Sequence, residues 1–207
     1  MAVTKGPLFS LDASGTIAKA AVFSKWKGRN YVRVHAIPHN PKSGLQTGMR
    51  AAMKFTTQAY AALSTTIKGH WLAAAAADNI TALNAQVRAS QRSIRNNLGC
   101  IHDPTDAAGT TPTAPATLTP VAATRSIVVG WTHPTVTPGN YTAMLYMSET
   151  TGFTPDVSNL VYVGAQATVS KTIPNLTTGT PYYFRLRETN TNGEMGALIA
   201  QATATPA

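Results

Sequence analysis

The sequence predicts two domains: an α+β N-terminal domain built from a small β-meander plus helices, followed by an all-β sandwich. Three observations carry this expectation. Short apolar runs at period two occur near the N-terminus and again throughout the C-terminal half. Residues 44–98 between them carry apolar side chains at near-helical spacing. Charge and composition both change near residue 100. The boundaries that follow are 1–100 for a basic α+β docking domain, 101–114 for a Pro/Thr/Ala linker and 115–207 for the sandwich.

The charge change is the sharpest of the three. The 207-residue chain has 17 Lys and Arg against 8 Asp and Glu, a formal net charge of +9. Residues 1–100 hold thirteen of those bases with only Asp12 and Asp78 as acids, whereas the remainder holds Arg125, Lys171, Arg185 and Arg187 against six acids. The two halves therefore differ in electrostatic character. A hydrophobic content of 43% argues against wholesale disorder, and a single Cys excludes an intrachain disulfide framework and a Cys-rich zinc site. The longest apolar run, residues 71–77, is seven residues long, where a helical membrane span needs about twenty. MAVTKGPLFSLDASG has no apolar export core, so folding in a reducing cytoplasm and no membrane partner are expected.

Along the N-terminal half, residues 9–12 and 16–24 are apolar stretches around a turn at 13–15, and residues 31–37 alternate at period two. Lys25-Trp26-Lys27-Gly28-Arg29-Asn30 reads as a charged loop around one Trp, so a meander of two or three strands is expected. Pro38 and Pro41 stop the last strand, and Asn40 or Ser43 can cap a helix over 44–63. Leu45, Met49, Ala52, Met53, Tyr60 and Leu63 mark its apolar side, with Arg50 and Lys54 opposite. Ser64-Thr65-Thr66 begins a second helix bearing Trp71 and Leu72. Ile80, Leu83, Val87, Ile94 and Leu98 mark a third, with Arg88, Arg92 and Arg95 on its polar side and Gly99 as its stop.

HDPTDAAGTTPTAPATLTP then offers almost no large apolar side chain, which is the composition of a linker. Beyond it, Ile127, Val129 and Trp131 share one strand face, making Trp131 a core residue. Further strands are expected over 141–147, 160–163, 168–173, 182–187 and 197–203. In the 182–187 strand, Tyr182, Phe184 and Leu186 face inward while Tyr183, Arg185 and Arg187 face outward as a solvated surface.

Pro115, Trp131 and the segment IPNLTTGTPYYFRLRETNTNGEMG resemble the fibronectin type III domain, an immunoglobulin-like sandwich. The resemblance covers about ninety residues, 115–206. It implies that Leu176 and Tyr182 form a tyrosine corner, and that Asn190 to Gly193 turn the final hairpin. It implies nothing specific about function, because this sandwich serves as spacer, adhesin and display module alike.

KWKGRNYVR, NPKSGLQTGMRAAMKF and ALSTTIKGHW resemble small proteins encoded in the structural gene modules of tailed bacteriophages, over about residues 8–72. Joined to a fibronectin-like domain, this resemblance implies a virion component located on the capsid surface or tail and assembled in the host cytoplasm. The expected function is that of a capsid decoration or cement protein docking through its basic domain, with a tail or head-fibre protein as the alternative. Its implied partners are the major capsid protein or other virion proteins, with a homo-oligomeric or lattice-bound state and surface glycans as a further partner class.

Physically, the positive excess fits an acidic protein surface or the phosphates of nucleic acid, which makes a DNA-binding accessory protein the rival from a different class. Candidate capsid-docking or anion-binding residues are Lys25, Trp26, Lys27, Arg29, Tyr31, Arg33, Lys42, Arg50 and Lys54. Trp26 and Tyr31 serve as apolar anchors in that reading, against the simpler one in which Trp26 and Trp71 are both core. An exported adhesin would need an export route that the N-terminus does not offer.

No catalytic motif emerges. His35 and His39 are four apart, but Pro38 between them bars a helical metal pair. Cys100 lacks a basic cluster and a triad pattern, and no phosphate-binding glycine loop is present. The expectation is a non-enzyme with no metal and no cofactor.

Overall fold

The computed structural model describes residues 2–3, 15–17, 20–36, 42–106, 111–133, 140–165 and 167–207. Its contacts divide the chain into two compact units, Met1–Pro41 and Lys42–Ala207. The expected stretch at 9–12 lies outside the described residues.

The first unit is a four-stranded antiparallel sheet in the order β1-β4-β3-β2, from β1 (Ala2–Val3), β2 (Gly15–Ile17), β3 (Ala21–Trp26) and β4 (Arg29–Val34). The stretch read as continuous over 16–24 is thus split between two strands, and the strand expected over 31–37 ends at Val34. The loop expected over 25–30 contracts to two residues, because Lys27 (φ 49°) and Gly28 (φ 77°) both take left-handed backbone. Two consecutive positive φ values are the mark of the tight turn whose twist matches paired strands.

The second unit opens with three helices. α1 (Gly44–Ala62) follows Ser43, α2 (Thr65–Ala76) is capped by the Ser64 side chain accepting from the Ile67 N–H, and α3 (Ala82–Arg95) is capped by Thr81 accepting from the Asn84 N–H. α3 ends on Asn96, with Asn97 in left-handed backbone (φ 56°), ahead of the expected Gly99 stop. The strands that follow form two antiparallel sheets. β5 (Thr117–Ala123), β6 (Ser126–Thr132) and β9 (Ser170–Pro174) make one in the order β5-β6-β9. β7 (Asn140–Ser148), β8 (Leu160–Ala165), β10 (Tyr182–Asn190) and β11 (Ala202–Ala204) make the other in the order β11-β10-β7-β8.

Two faces of the larger sheet are buried. Its inner face supplies Ala143, Leu145, Phe184 and Leu186 to a core shared with Ile127, Val129 and Trp131 of the smaller sheet. Its outer face supplies Met144, Tyr146, Leu160 and Val163 to a second core with Ala52 and Phe55 of α1, Ile94 of α3 and Cys100. A third cluster, centred on Trp71, joins the helices through Leu63, Ala75, Ala82 and Ala85. Helices 44–95 are therefore a third layer on the sandwich, in the same compact unit.

This differs from the expected division at 101–114, and the reason lies in hydrogen bonding. The Trp71 indole N–H donates to the His102 carbonyl at 2.8 Å, and Gln86 Nε2 donates to the Ile101 carbonyl at 3.2 Å. The Gly99 and His102 N–H groups donate to the Gly193 and Thr191 carbonyls, both at 2.7 Å. The start of the expected linker, Ile101 and His102, is held here by its backbone.

The helix faces also differ from expectation. α1 buries Gly48, Ala52, Phe55 and Thr56, while Leu45 and Met53 are 51% and 52% exposed. α3 buries Ala82, Ala85, Gln86, Ser90, Ser93 and Ile94, and leaves Leu98 outside. Small residues such as Gly48, Ala52, Ala85 and Ser90 face inward alongside Phe55 and Ile94, where the helix backbones approach their neighbours closely.

Candidate functional site

Six of the nine predicted residues belong to the β3–β4 hairpin. Its register pairs Trp26 with Arg29, Lys25 with Asn30, Ser24 with Tyr31 and Val22 with Arg33. Residues directly opposite share a face, and faces alternate along each strand. Trp26, Arg29, Tyr31 and Arg33 therefore stand on one face of the hairpin, Lys25 on the other, and Lys27 at the tip. Trp26 is 66% exposed, which overturns its reading as core, whereas Trp71 is 2% exposed and is core as that reading has it. The Lys27 ammonium lies 4.9 Å from the centre of the Trp26 ring, a cation–π distance. Residues 20–36 contain no Asp or Glu, so nothing on the hairpin itself neutralises this cluster.

Lys42, Arg50 and Lys54 belong to the second unit. Lys42 has left-handed backbone (φ 49°) just before the start of α1. Arg50 and Lys54 line a cleft of about 760 Å³ between α1 and strand β8. Lys171 of β9 lines the same cleft, and its ammonium lies 4.8 Å from the centre of the Tyr162 ring. The sequence gives no signal for Lys171 or Tyr162, since their approach to Arg50 and Lys54 depends on the helical layer meeting the sheet edge.

Two histidine clusters were also not foreseen. His70 Nδ1 lies 3.0 Å from both oxygens of Asp103 and 3.0 Å from the Thr105 hydroxyl. All these contacts fall on one ring nitrogen, whereas a catalytic triad needs its nucleophile and carboxylate on opposite nitrogens. Burial works to raise the Asp103 carboxyl, but hydrogen bonds from the Thr105 backbone and hydroxyl, with the His70 ring, outweigh it and hold the carboxyl below its ordinary range. His133 bridges the buried Glu188 carboxylate, at 2.5 Å, and the Thr168 carbonyl, at 3.1 Å. Both clusters tie loops to neighbouring elements.

Burial pushes the Cys100 thiol up to about 12 against a small opposing effect of the Thr56 hydroxyl, so it is not a poised nucleophile. Among the described residues there is no group of three or more His, Cys, Asp or Glu able to hold a metal ion, and no helix is long and apolar enough to cross a membrane.

The sandwich carries the expected corner: the Tyr182 hydroxyl accepts from the Thr177 N–H at 3.2 Å, beside the buried Leu176. With the strand order β5-β6-β9 against β11-β10-β7-β8, this gives the C-terminal part a fibronectin type III-like fold.

No family model matches the chain, and no curated protein matches it. Solved structures similar to it include the fn3 domain of human collagen alpha-1(XX) chain, at 21% identity over 49% of this chain and 91% of that one, with a TM-score of 0.39. The fibronectin type-III domain of human fibronectin type III domain containing protein 3 is 23% identical over 49% of this chain and 94% of that one, with a TM-score of 0.38. A β-1,2-glucanase from Parabacteroides distasonis is 17% identical over 50% of this chain, at a TM-score of 0.41, and the match spans 14% of the glucanase. The fold assignment rests on the strand pairing and the tyrosine corner of this chain.

Proposed function

We propose that this chain is a non-enzymatic structural protein of a phage virion, a capsid decoration protein whose β3–β4 hairpin docks on an acidic surface of the major capsid protein and whose helix-backed, fibronectin-like unit is the body so attached. The observation that carries the reading is the hairpin tip. A tryptophan exposed beside Lys27, on the hairpin face that also carries Arg29 and Arg33, has the composition of an interface anchor rather than of a solvated turn.

The tip residue itself supports this. Lys27 sits at φ 49°, a backbone that Asn or Gly adopts with less strain. Holding a lysine there costs about 1 kcal/mol and places a cation beside the exposed indole. Strain of this kind concentrates at functional positions.

The test is the copy number of this chain in purified particles, by quantitative mass spectrometry against the major capsid protein. A simple ratio to that protein supports decoration. A few to a few dozen copies per particle moves the chain to the tail or a head fibre. Absence from the particle overturns the virion reading and leaves the cationic hairpin as a nucleic-acid contact.

A further inference from the structure

The cleft between α1 and β8 has a shape and charge unrelated to the hairpin. Its strand wall contains Val161, Tyr162, Val163, Gly164 and Ala165, five consecutive residues. Consecutive residues alternate between the two faces of a sheet, so a cleft touching all of them runs along the edge of the strand rather than over one face. β8 is the edge strand of its sheet: it pairs with β7, and among the described residues no strand pairs with its other side.

The helix wall is equally regular. Thr47, Ala51, Phe55 and Ala59 form one row four residues apart, and Arg50, Lys54 and Gln58 form the adjacent row. The first row is apolar after Thr47, with Phe55 buried at its centre; the second is exposed and polar. Lys171 stands on the β9 side. Arg50, Lys54 and Lys171 thus line two walls, and among the described residues no Asp or Glu lines the cleft. From Thr47 to Ala62 the helix wall is about 22 Å long, and the six residues of β8 extend about 20 Å.

We propose that this trough binds an extended acidic peptide segment, which pairs as an added strand on the edge of β8 and places carboxylates against Arg50, Lys54 and Lys171. The edge offers main-chain donors and acceptors in a row. Small side chains at Ala51 and Ala59 leave room for alternate apolar residues of the peptide. The lining cations select acidic side chains. A strand about six residues long matches both walls.

The test uses the full chain and a fluorescein-labelled seven-residue probe peptide, Thr-Glu-Val-Glu-Val-Asp-Thr, followed by fluorescence anisotropy. Saturable binding is expected, weakened about tenfold by each of Lys54→Glu and Lys171→Glu and unaffected by Lys27→Asn in the hairpin. Amide NMR shifts on binding should concentrate at residues 161–165, and a backbone N-methylated version of the probe should fail to compete. Variant folding is checked by the amide spectrum, and the unlabelled probe against wild-type chain alone keeps the test valid if a variant misfolds. No binding overturns the proposal. So does equal competition by the N-methylated probe, or displacement of the peptide by duplex DNA with shifts confined to the α1 cations.

Discussion

A Cβ placed on Gly48 of α1 would lie 2.0 Å from the carbonyl oxygen of Val157 in the β7–β8 connection. One turn earlier, a Cβ on Gly44 would lie 2.2 Å from the Ser158 carbonyl oxygen. Two glycines four apart let the helix backbone rest directly on the sandwich, and this contact makes the helices part of its fold. Gly48→Ala gains about 1 kcal/mol of helix propensity, yet it forces the helix and connection apart at a cost of roughly 1–3 kcal/mol. The expected outcome in urea denaturation is a net loss of stability, with helix and sandwich signals falling in one transition.

Tyr182→Phe removes only the hydroxyl that accepts from the Thr177 N–H. The fold persists and the corner loosens. Stability should fall by about 1 kcal/mol, read as a lower denaturation midpoint with an unchanged slope.

Cys100 is 1% exposed, and its thiol is pushed up to about 12. At pH 8 it should resist a thiol reagent in the native protein and react at once in denaturant. Prompt native labelling would mean that the packing of α1 and α3 on β7 is wrong.

Asp103 is held below its ordinary carboxyl range in the folded state by Thr105 and His70, against the opposing effect of burial. A depressed folded pKa contributes stability that is present above the unfolded value, about 3.9, and is lost as pH falls through the folded one. Asp103→Asn should therefore destabilise the protein at pH 6, and the difference from wild type should shrink as pH falls below the unfolded carboxyl value, in paired denaturation curves.

Much of the sandwich was legible from alternation alone. Tyr182, Phe184 and Leu186 are buried as their spacing implies, and the Leu176 and Tyr182 pattern forms its corner. The attachment of the helices was not read, although a signal for it existed. YTAMLYM is apolar at both parities, and a strand with one face in water would not be. Met144 and Tyr146 on the second parity are the residues that meet α1 and α3. The helix faces were legible in part: Ala52, Leu63 and Ile94 are buried as their spacing implies, but Leu45 and Met53 are exposed, and Gly48, Ala85 and Ser90, which carry no hydrophobic signal of size, sit at the contacts. Of the candidate site, the hairpin's cations were legible as charge, but the exposure of Trp26 was not. Whether an aromatic in a charged turn is covered depends on the rest of the sheet, which local sequence does not specify.

Trp26 also offers a spectroscopic handle. It is exposed beside Lys27, whereas Trp71 and Trp131 are buried. Iodide, an anion drawn to the cationic tip, should quench one component of the tryptophan fluorescence, and Trp26→Ala should abolish that component without a measurable change in stability.

The central claim is that the hairpin's charge docks this chain on a protein shell. The most direct measurement is co-sedimentation of the purified full chain with particles lacking it, comparing wild type with Lys25→Glu/Lys27→Glu/Arg29→Glu. The account predicts saturable binding by wild type, weakened by salt and lost in the triple variant while its amide spectrum stays folded. A triple variant that binds particles as wild type does, while losing affinity for duplex DNA, would contradict it.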